Sequence, residues 1–368
     1  MVAKTLGEGD PERANRMFSL IVYTSVAVGG ALAVLGIVFL RPAANFLGAE
    51  GQMLEDAVVY GRIILVALPC FMLQMEFQSF FITAEKPNLG LLTTVMSGVA
   101  NMVLDALLVG VLSMGLVGAA VATAISQLIG GVVPVLYFLR PNPSLLRLTK
   151  TKFDGGALLK TCTNGSSELM SNISMSLVGM LYNLQLLKYE GENGVAAYGV
   201  LMYVSLVFAA VFIGYSIGTA PVIGYHDGAQ NHGELKSLLR KSIMIIGVFS
   251  VGMVVAALVL SSPLSRLFVG YDAELLELTK RGFFVYSFSF LFMGYAIFAS
   301  GFFTALNDGV TSAIISFLRT AVFQVAAVLL LPMVWEIDGI WWSIVVAECM
   351  AVAVSAVFMW AKRNKYHY

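Results

Sequence analysis

Four carboxylic acids sit where water is scarce. Glu76, Asp105, Glu168 and Glu348 are the acidic residues inside the long apolar stretches of this chain. A charge at the centre of a bilayer costs on the order of 3 kcal/mol, so each needs a partner, a wet cavity or a proton. Glu168 has the surroundings best suited to coupling. Thr161 to Asn183 also carries Thr163, Asn164, Ser166, Ser167, Ser171, Asn172, Ser174 and Ser176, too polar a run to face lipid. Asn164, Glu168 and Asn172 stand four apart, and Asn183 falls within about 100° of them at 3.6 residues per turn. That spacing predicts one polar stripe facing the interior. Amides beside a carboxyl can hydrogen-bond it charged or neutral, as exchange of H⁺ or Na⁺ requires. The competing reading makes the stripe interhelical glue.

Two weaker groupings accompany it. Glu76 shares its helix with Gln74 and Gln78, below Pro69, and Asn101 and Asp105 stand four apart on the next helix. Both are secondary cavity candidates. Arg319 and Glu348 are expected to pair as a structural bridge. Tyr286, Met293 and Tyr295 are substrate-contact candidates, because aromatic faces attract organic cations and thioethers adapt to varied shapes. Most aromatic residues of that helix are expected to pack or face lipid.

The elements that position these residues are membrane helices. Apolar residues make up 58% of the chain and charged residues 12%, half the charge of a soluble domain. Ten spans are expected, at about 17–40, 57–82, 90–113, 117–139, 157–187, 197–223, 238–260, 276–304, 310–333 and 340–361. Turn signals such as Glu85-Lys86-Pro87-Asn88 and Asn307-Asp308-Gly309 separate them. With residues 1–16 in the cytoplasm, Lys and Arg fall mostly on the inner side, among them Arg140, Arg147, Lys150, Lys152 and Lys160. Both termini are therefore placed inside a multi-pass protein of the cell membrane.

The chain also repeats at an offset of 221 residues: Gly7 falls on Gly228, Ala84 on Ala305 and Gly118 on Gly339. The first four spans shift onto the last four without a gap. The spans at 157–187 and 197–223 have no counterparts, so the arithmetic implies a twelve-helix protein without its first two helices. The expected division is an incomplete lobe at 1–139, a cytoplasmic linker at 140–156 and a six-helix lobe at 157–368. Lobes of six helices repeat in parallel, as transporter halves do.

Other chemistries find little support. The histidines His226, His232 and His367 lie in loops or the tail, and no Asp pair shares a helix, so neither an enzyme nor a metal site is expected. Cys70, Cys162 and Cys349 sit singly in apolar segments. No basic cluster interleaves with aromatics, so no nucleic-acid partner is expected. Gly7-Glu8-Gly9 has no strand before it and no Gly-Lys-Ser/Thr, which excludes a phosphate loop.

Gly7-Glu8-Gly9-Asp10, Ala84-Glu85-Lys86-Pro87, Gly115-Leu116-Val117-Gly118-Ala119-Ala120 and Gly228-Ala229-Gln230-Asn231 resemble signatures of the multidrug and toxic compound extrusion (MATE) family. Their order at successive helix boundaries carries the resemblance across the whole chain. It implies two six-helix lobes in a V and export of organic cations or amphiphiles against inward H⁺ or Na⁺. No further cofactor is implied, and a monomer in the lipid bilayer is expected. The family commonly carries a functional carboxylate in its first helix, which would be absent here. The tenth-helix carboxylate of some branches is also missing, since 276–304 holds only Glu277 at its outer end. Two alternatives stand beside the exporter: a lipid-linked oligosaccharide flippase of related fold and a non-transporting truncated product. A flippase would want a basic cavity, yet Arg319 is the only cation more than six residues from a span end, Arg62 and the others lying nearer the ends.

Overall fold

Asp10 and Asn231, 221 residues apart, open their helices in the same way. Asp10 accepts a hydrogen bond from the Arg13 amide at 2.9 Å and Asn231 from the Glu234 amide at 3.2 Å. Each follows a residue in the left-handed region, Gly9 at φ 82° and Gln230 at φ 55°. An oxygen acceptor at this position satisfies an amide that the first turn leaves unpaired. The computed structural model describes residues 1–368, which form helices α1 (Val2–Gly7), α2 (Pro11–Phe46), α3 (Gly51–Thr83), α4 (Pro87–Asp105), α5 (Gly115–Leu139), α6 (Gly155–Gly228), α7 (His232–Val269), α8 (Ala273–Ser287), α9 (Phe290–Ala305), α10 (Gly309–Phe317), α11 (Gln324–Leu330) and α12 (Pro332–Tyr366). There is no strand.

Several of these are composite. Gly191, at φ 63° and ψ −146°, breaks α6 into arms at 155–190 and 192–228. Glu336, at φ 49°, breaks α12 near its start. A π-helical turn extends α4 over Ala106–Val111, and another joins α10 to α11 over Leu318–Phe323. Helices α8 and α9 form one span bent by 49°. With α6 taken as two arms and α8–α9 as one span, ten apolar crossings result, at the positions the sequence indicates. Their outward faces carry Val34, Val38, Val66, Met102 and Val259, all exposed. An apolar exterior of this extent fits lipid rather than water.

The repeat holds, but not without a gap. Helix α3 and the α8–α9 span begin at Gly51 and Ala273 and end at Thr83 and Ala305, an offset of 222. The left-handed residues Glu85 and Asn307 keep that offset. The extra residue lies in the helix rather than the loop: α7 has 38 residues against 36 in α2, and the loop after it is one residue shorter. Gly118 and Gly339 restore 221: a Cβ on either would strike the backbone of the preceding helix end, at Leu108 and Leu331. The π-helical turns do not correspond, since Ala106–Val111 and Leu318–Phe323 are 212 residues apart.

The chain divides into two compact units, 2–158 and 159–368, with Met1 joining the second. In the N-terminal unit, α2, α3 and α5 meet around Phe18, Phe77, Phe81 and Phe138; the Phe18 and Phe138 rings lie 5.1 Å apart and Phe77 stacks on Phe138 at 5.6 Å. Where apolar burial gives helices no preference over lipid, close packing holds them together. Gly131 of α5 illustrates it: a Cβ there would lie 2.5 Å from the Cys70 carbonyl oxygen of α3. Residues 140–154, expected as a linker, are stitched onto this unit. Leu146 is fully buried among its phenylalanines, the Arg147 amide donates to Asn15 Oδ1 at 2.7 Å and the Thr149 amide to Ser19 Oγ at 2.8 Å. The C-terminal unit packs Tyr182, Tyr198, Phe283, Phe290, Phe302 and Trp341 into its own core.

Candidate functional site

The first arm of α6 has two faces. Ser167, Ser174, Val178, Tyr182 and Leu186 are buried at spacings of seven and then four, which marks the face turned into the C-terminal unit. Glu168, Asn172 and Asn183 lie on the open face instead. The small serines fill the core of the unit, and the longer polar groups of the stripe stay outside it. Asn172 Nδ2 donates to the Glu168 carbonyl at 2.8 Å, so its amide is spent on backbone rather than on the carboxylate. Asn183 is about 22 Å along the helix from Glu168 at 1.5 Å per residue and does not share a site with it.

Asn164 leaves the stripe altogether. Its Nδ2 donates to the Thr304 carbonyl of α9 at 2.9 Å, and its Oδ1 is buried without a partner. Gly309 opens α10 against the same turn, where a Cβ would lie 2.5 Å from Asn164 Cα. For Asn164 the glue reading holds.

Arg319 and Glu348 form the expected bridge. Arg319 Nε donates to Glu348 Oε2 at 2.9 Å and Nη2 to Oε1 at 2.8 Å, a two-pronged pair. The Glu348 side chain is completely buried and that of Arg319 is 16% exposed. Arg319 stands on the π-helical turn between α10 and α11. Tyr198 stacks on Tyr182 with ring centres 5.0 Å apart. Sequence reading missed the Tyr182–Tyr198 stack, whose members stand on opposite sides of the break at Gly191 and so share no periodic signal.

In the N-terminal unit, Ser25 of α2 donates to Glu76 Oε1, while Oε2 is buried without a partner. Gln74 does not join it: Nε2 donates to Ser97 Oγ at 3.3 Å, and Ser97 donates to the Ser126 carbonyl at 2.7 Å, tying α3 to α4 and α5. Gln78 is half-buried without a side-chain bond, and Asn101 and Asp105 are half-buried at the end of α4.

The proposed substrate contacts are largely interior. Tyr286 is buried and donates to Ser205 Oγ at 3.1 Å, and Met293 is buried in the same core. Neither lines an open surface. Tyr295 is half-buried, its hydroxyl lying over Gly247.

At one end of the C-terminal unit, Asp308 caps α10. It accepts from the Thr311 amide at 3.3 Å, the Tyr366 hydroxyl at 2.8 Å and Lys362 Nζ at 3.3 Å, with Lys365 at 3.5 Å. Burial alone would raise its carboxyl, but the hydrogen bonds from Tyr366 and Thr311 and the charge of Lys362 outweigh it and hold the group at about 2.

The MatE family profile matches residues 1–107 and 169–330. The chain belongs to the MatE family. Among relatives, the multidrug export protein MepA of Staphylococcus haemolyticus (strain JCSC1435) is 25% identical over 365 residues, covering 99% of this chain and 80% of MepA. A MatE fold is equally evident in solved structures. An outward-facing multidrug resistance MATE family transporter of the MOP superfamily superposes with a TM-score of 0.94 at 20% identity, over 100% of this chain and 82% of that one. A MOP superfamily transporter from Pyrococcus furiosus, whose reverse-polarity binding pocket suggests a different function, superposes with a TM-score of 0.93 at 20% identity and the same coverage. This MatE chain is accordingly a multi-pass membrane protein.

Proposed function

We propose that this protein exports organic cations or amphiphiles by alternating access, in exchange for inward H⁺ or Na⁺, with Glu168 as the carboxylate on which ion and substrate compete. The observation that carries the reading is the position of Glu168: a carboxylate on the open face of a polar membrane helix, free of any hydrogen bond that would commit it to structure. Family membership and the likeness to a multidrug export protein support it. Glu76, with one carboxylate oxygen unpartnered, is the second coupling position and belongs to the N-terminal unit.

The basic bias of residues 140–160 supports placing both termini in the cytoplasm, and nothing in the proposal requires a cofactor or a second subunit. A lipid-linked oligosaccharide substrate fits less well. Such a substrate would bring a pyrophosphate, yet Arg319 is already engaged by Glu348, and the other cations within the spans, Arg62 among them, lie within six residues of a span end.

The test is efflux of a fluorescent cation such as ethidium from cells lacking other pumps. Glu168→Gln is expected to abolish export while the protein still reaches the membrane. Undiminished export with unchanged ion dependence overturns the assignment.

A further inference from the structure

The residues that close α12 fold back onto other helices of the C-terminal unit. Tyr366 donates to Asp308 Oδ2 at the start of α10, 2.8 Å away. His367 takes a left-handed backbone, φ 56° and ψ 34°, which turns the chain back on itself. Tyr368 then donates to the Met359 carbonyl at 3.0 Å and sets its ring edge-on to Phe302 of α9, with centres 5.0 Å apart. Fastened on either side, His367 meets His232, the first residue of α7, with 4.9 Å between ring centres and 61° between ring planes. His232 is fixed in its turn. Its amide donates to the Gln230 carbonyl at 3.1 Å, and Asn231 caps the helix that it opens. Its Nδ1 is buried without a hydrogen-bond partner, an arrangement that is unfavourable until something engages that nitrogen.

Two imidazoles at this separation have the spacing of two ligands on one metal ion. With roughly 2 Å from metal to nitrogen and about 1.2 Å more to the ring centre, two such rings lie about 4.5 Å apart at a right angle and about 5.2 Å apart at the tetrahedral angle. The observed 4.9 Å falls between these. We infer that His232 and His367 form a binding site for a divalent metal ion of the zinc, nickel or copper class, one imidazole coming from the start of α7 and one from the turn after α12. Imidazole nitrogen suits these ions, whereas magnesium and calcium want oxygen. No cluster of three or more such ligands exists in the chain, so water completes the coordination. Both rings are held in place by their neighbours before an ion arrives, which limits the ordering that binding requires. The bound ion staples the end of α12 to α7. A contact made for packing alone gives no response to metal.

The experiment titrates the purified full chain, free of any polyhistidine tag, with zinc chloride at neutral pH, read by calorimetry and by thermal unfolding. One zinc ion is expected to bind per chain and to raise the melting point, and magnesium chloride is expected to do neither. H232A and H367A are each expected to weaken zinc binding at least about tenfold, the loss that even an outer-shell partner of a metal ligand causes. H232Q and H367Q keep a polar side chain of similar size and serve if the alanine variants do not fold. Y366F frees the tail from Asp308 without removing an imidazole and is expected to weaken binding severalfold. H226A, whose ring lies against Tyr225 rather than against the pair, is expected to bind zinc as the wild type does. Zinc binding undiminished in H232A/H367A, or a wild-type melting point indifferent to zinc, overturns the inference.

Discussion

Asp308 allows a prediction worked entirely from local geometry. Its carboxylate gathers Tyr366, Lys362 and Lys365 from the end of α12 onto the first turn of α10. Asp308→Asn keeps the capping oxygen but removes the charge, so it isolates the electrostatic contribution from the cap. A carboxyl held at about 2 against an ordinary 3.8 corresponds to roughly 2.5 kcal/mol at 1.36 kcal/mol per unit. Lys362 and Lys365 are 32% and 58% exposed, and screening by water reduces the figure to about 1–2 kcal/mol. The sign follows from the lowered value. The stabilisation is complete above the unfolded carboxyl's range near pH 4 and is lost as pH falls through about 2. Thermal unfolding of the purified protein is therefore expected to show D308N less stable than wild type at pH 7 and at pH 5, with the gap narrowing below pH 4. D308A is expected to lose about 1 kcal/mol more, because it also uncaps α10. A wild-type melting point matched by D308N at pH 7 would refute the reasoning.

Three further outcomes follow from packing. Gly131→Ala forces α3 and α5 apart against the Cys70 backbone and is expected to cost about 1–3 kcal/mol, whereas Gly98→Ala, with open space around it, is expected to be neutral in the same melt. Gly191→Ala places a side chain at φ 63° and ψ −146° and is expected to cost about 1–3 kcal/mol, seen as faster proteolysis of the turn between the arms of α6. Glu348→Ala alone leaves Arg319 charged and unpaired and is expected to cost about 3–5 kcal/mol, while replacing both partners with apolar residues recovers most of it; equal melting points for the single and double variants would contradict the buried-pair account.

Helix identity was largely legible because lipid demands apolar length and because Asp10, Asn231, Glu85 and Asn307 mark boundaries with side-chain or backbone signals that need no tertiary context. The extra residue in α7 was not legible, since the segments on either side keep their composition when slid by one. Nor were the π-helical turns, which Ala106–Val111 and Leu318–Phe323 adopt without a distinctive residue. At the site, spacing placed Asn164, Glu168, Asn172 and Asn183 on one side of a helix but could not say which side packs. The serines decided it: Ser167, whose hydroxyl meets that of Thr304, and Ser174 are small enough to be buried, and they carried the opposite face inward. The Arg319–Glu348 bridge was legible because two opposite charges in neighbouring apolar helices have few alternatives to one another. The burial of Tyr286 and Met293 was not legible, because aromatic and thioether side chains serve core and cavity equally well.

The central claim is tested most directly in proteoliposomes holding ethidium, with H⁺ or Na⁺ gradients imposed in turn. The wild-type protein is expected to drive ethidium outward against its own gradient with one of the two ions, and E168Q is expected to lose that uphill movement. Uphill transport that persists undiminished in E168Q, or wild-type transport indifferent to both gradients, would contradict it.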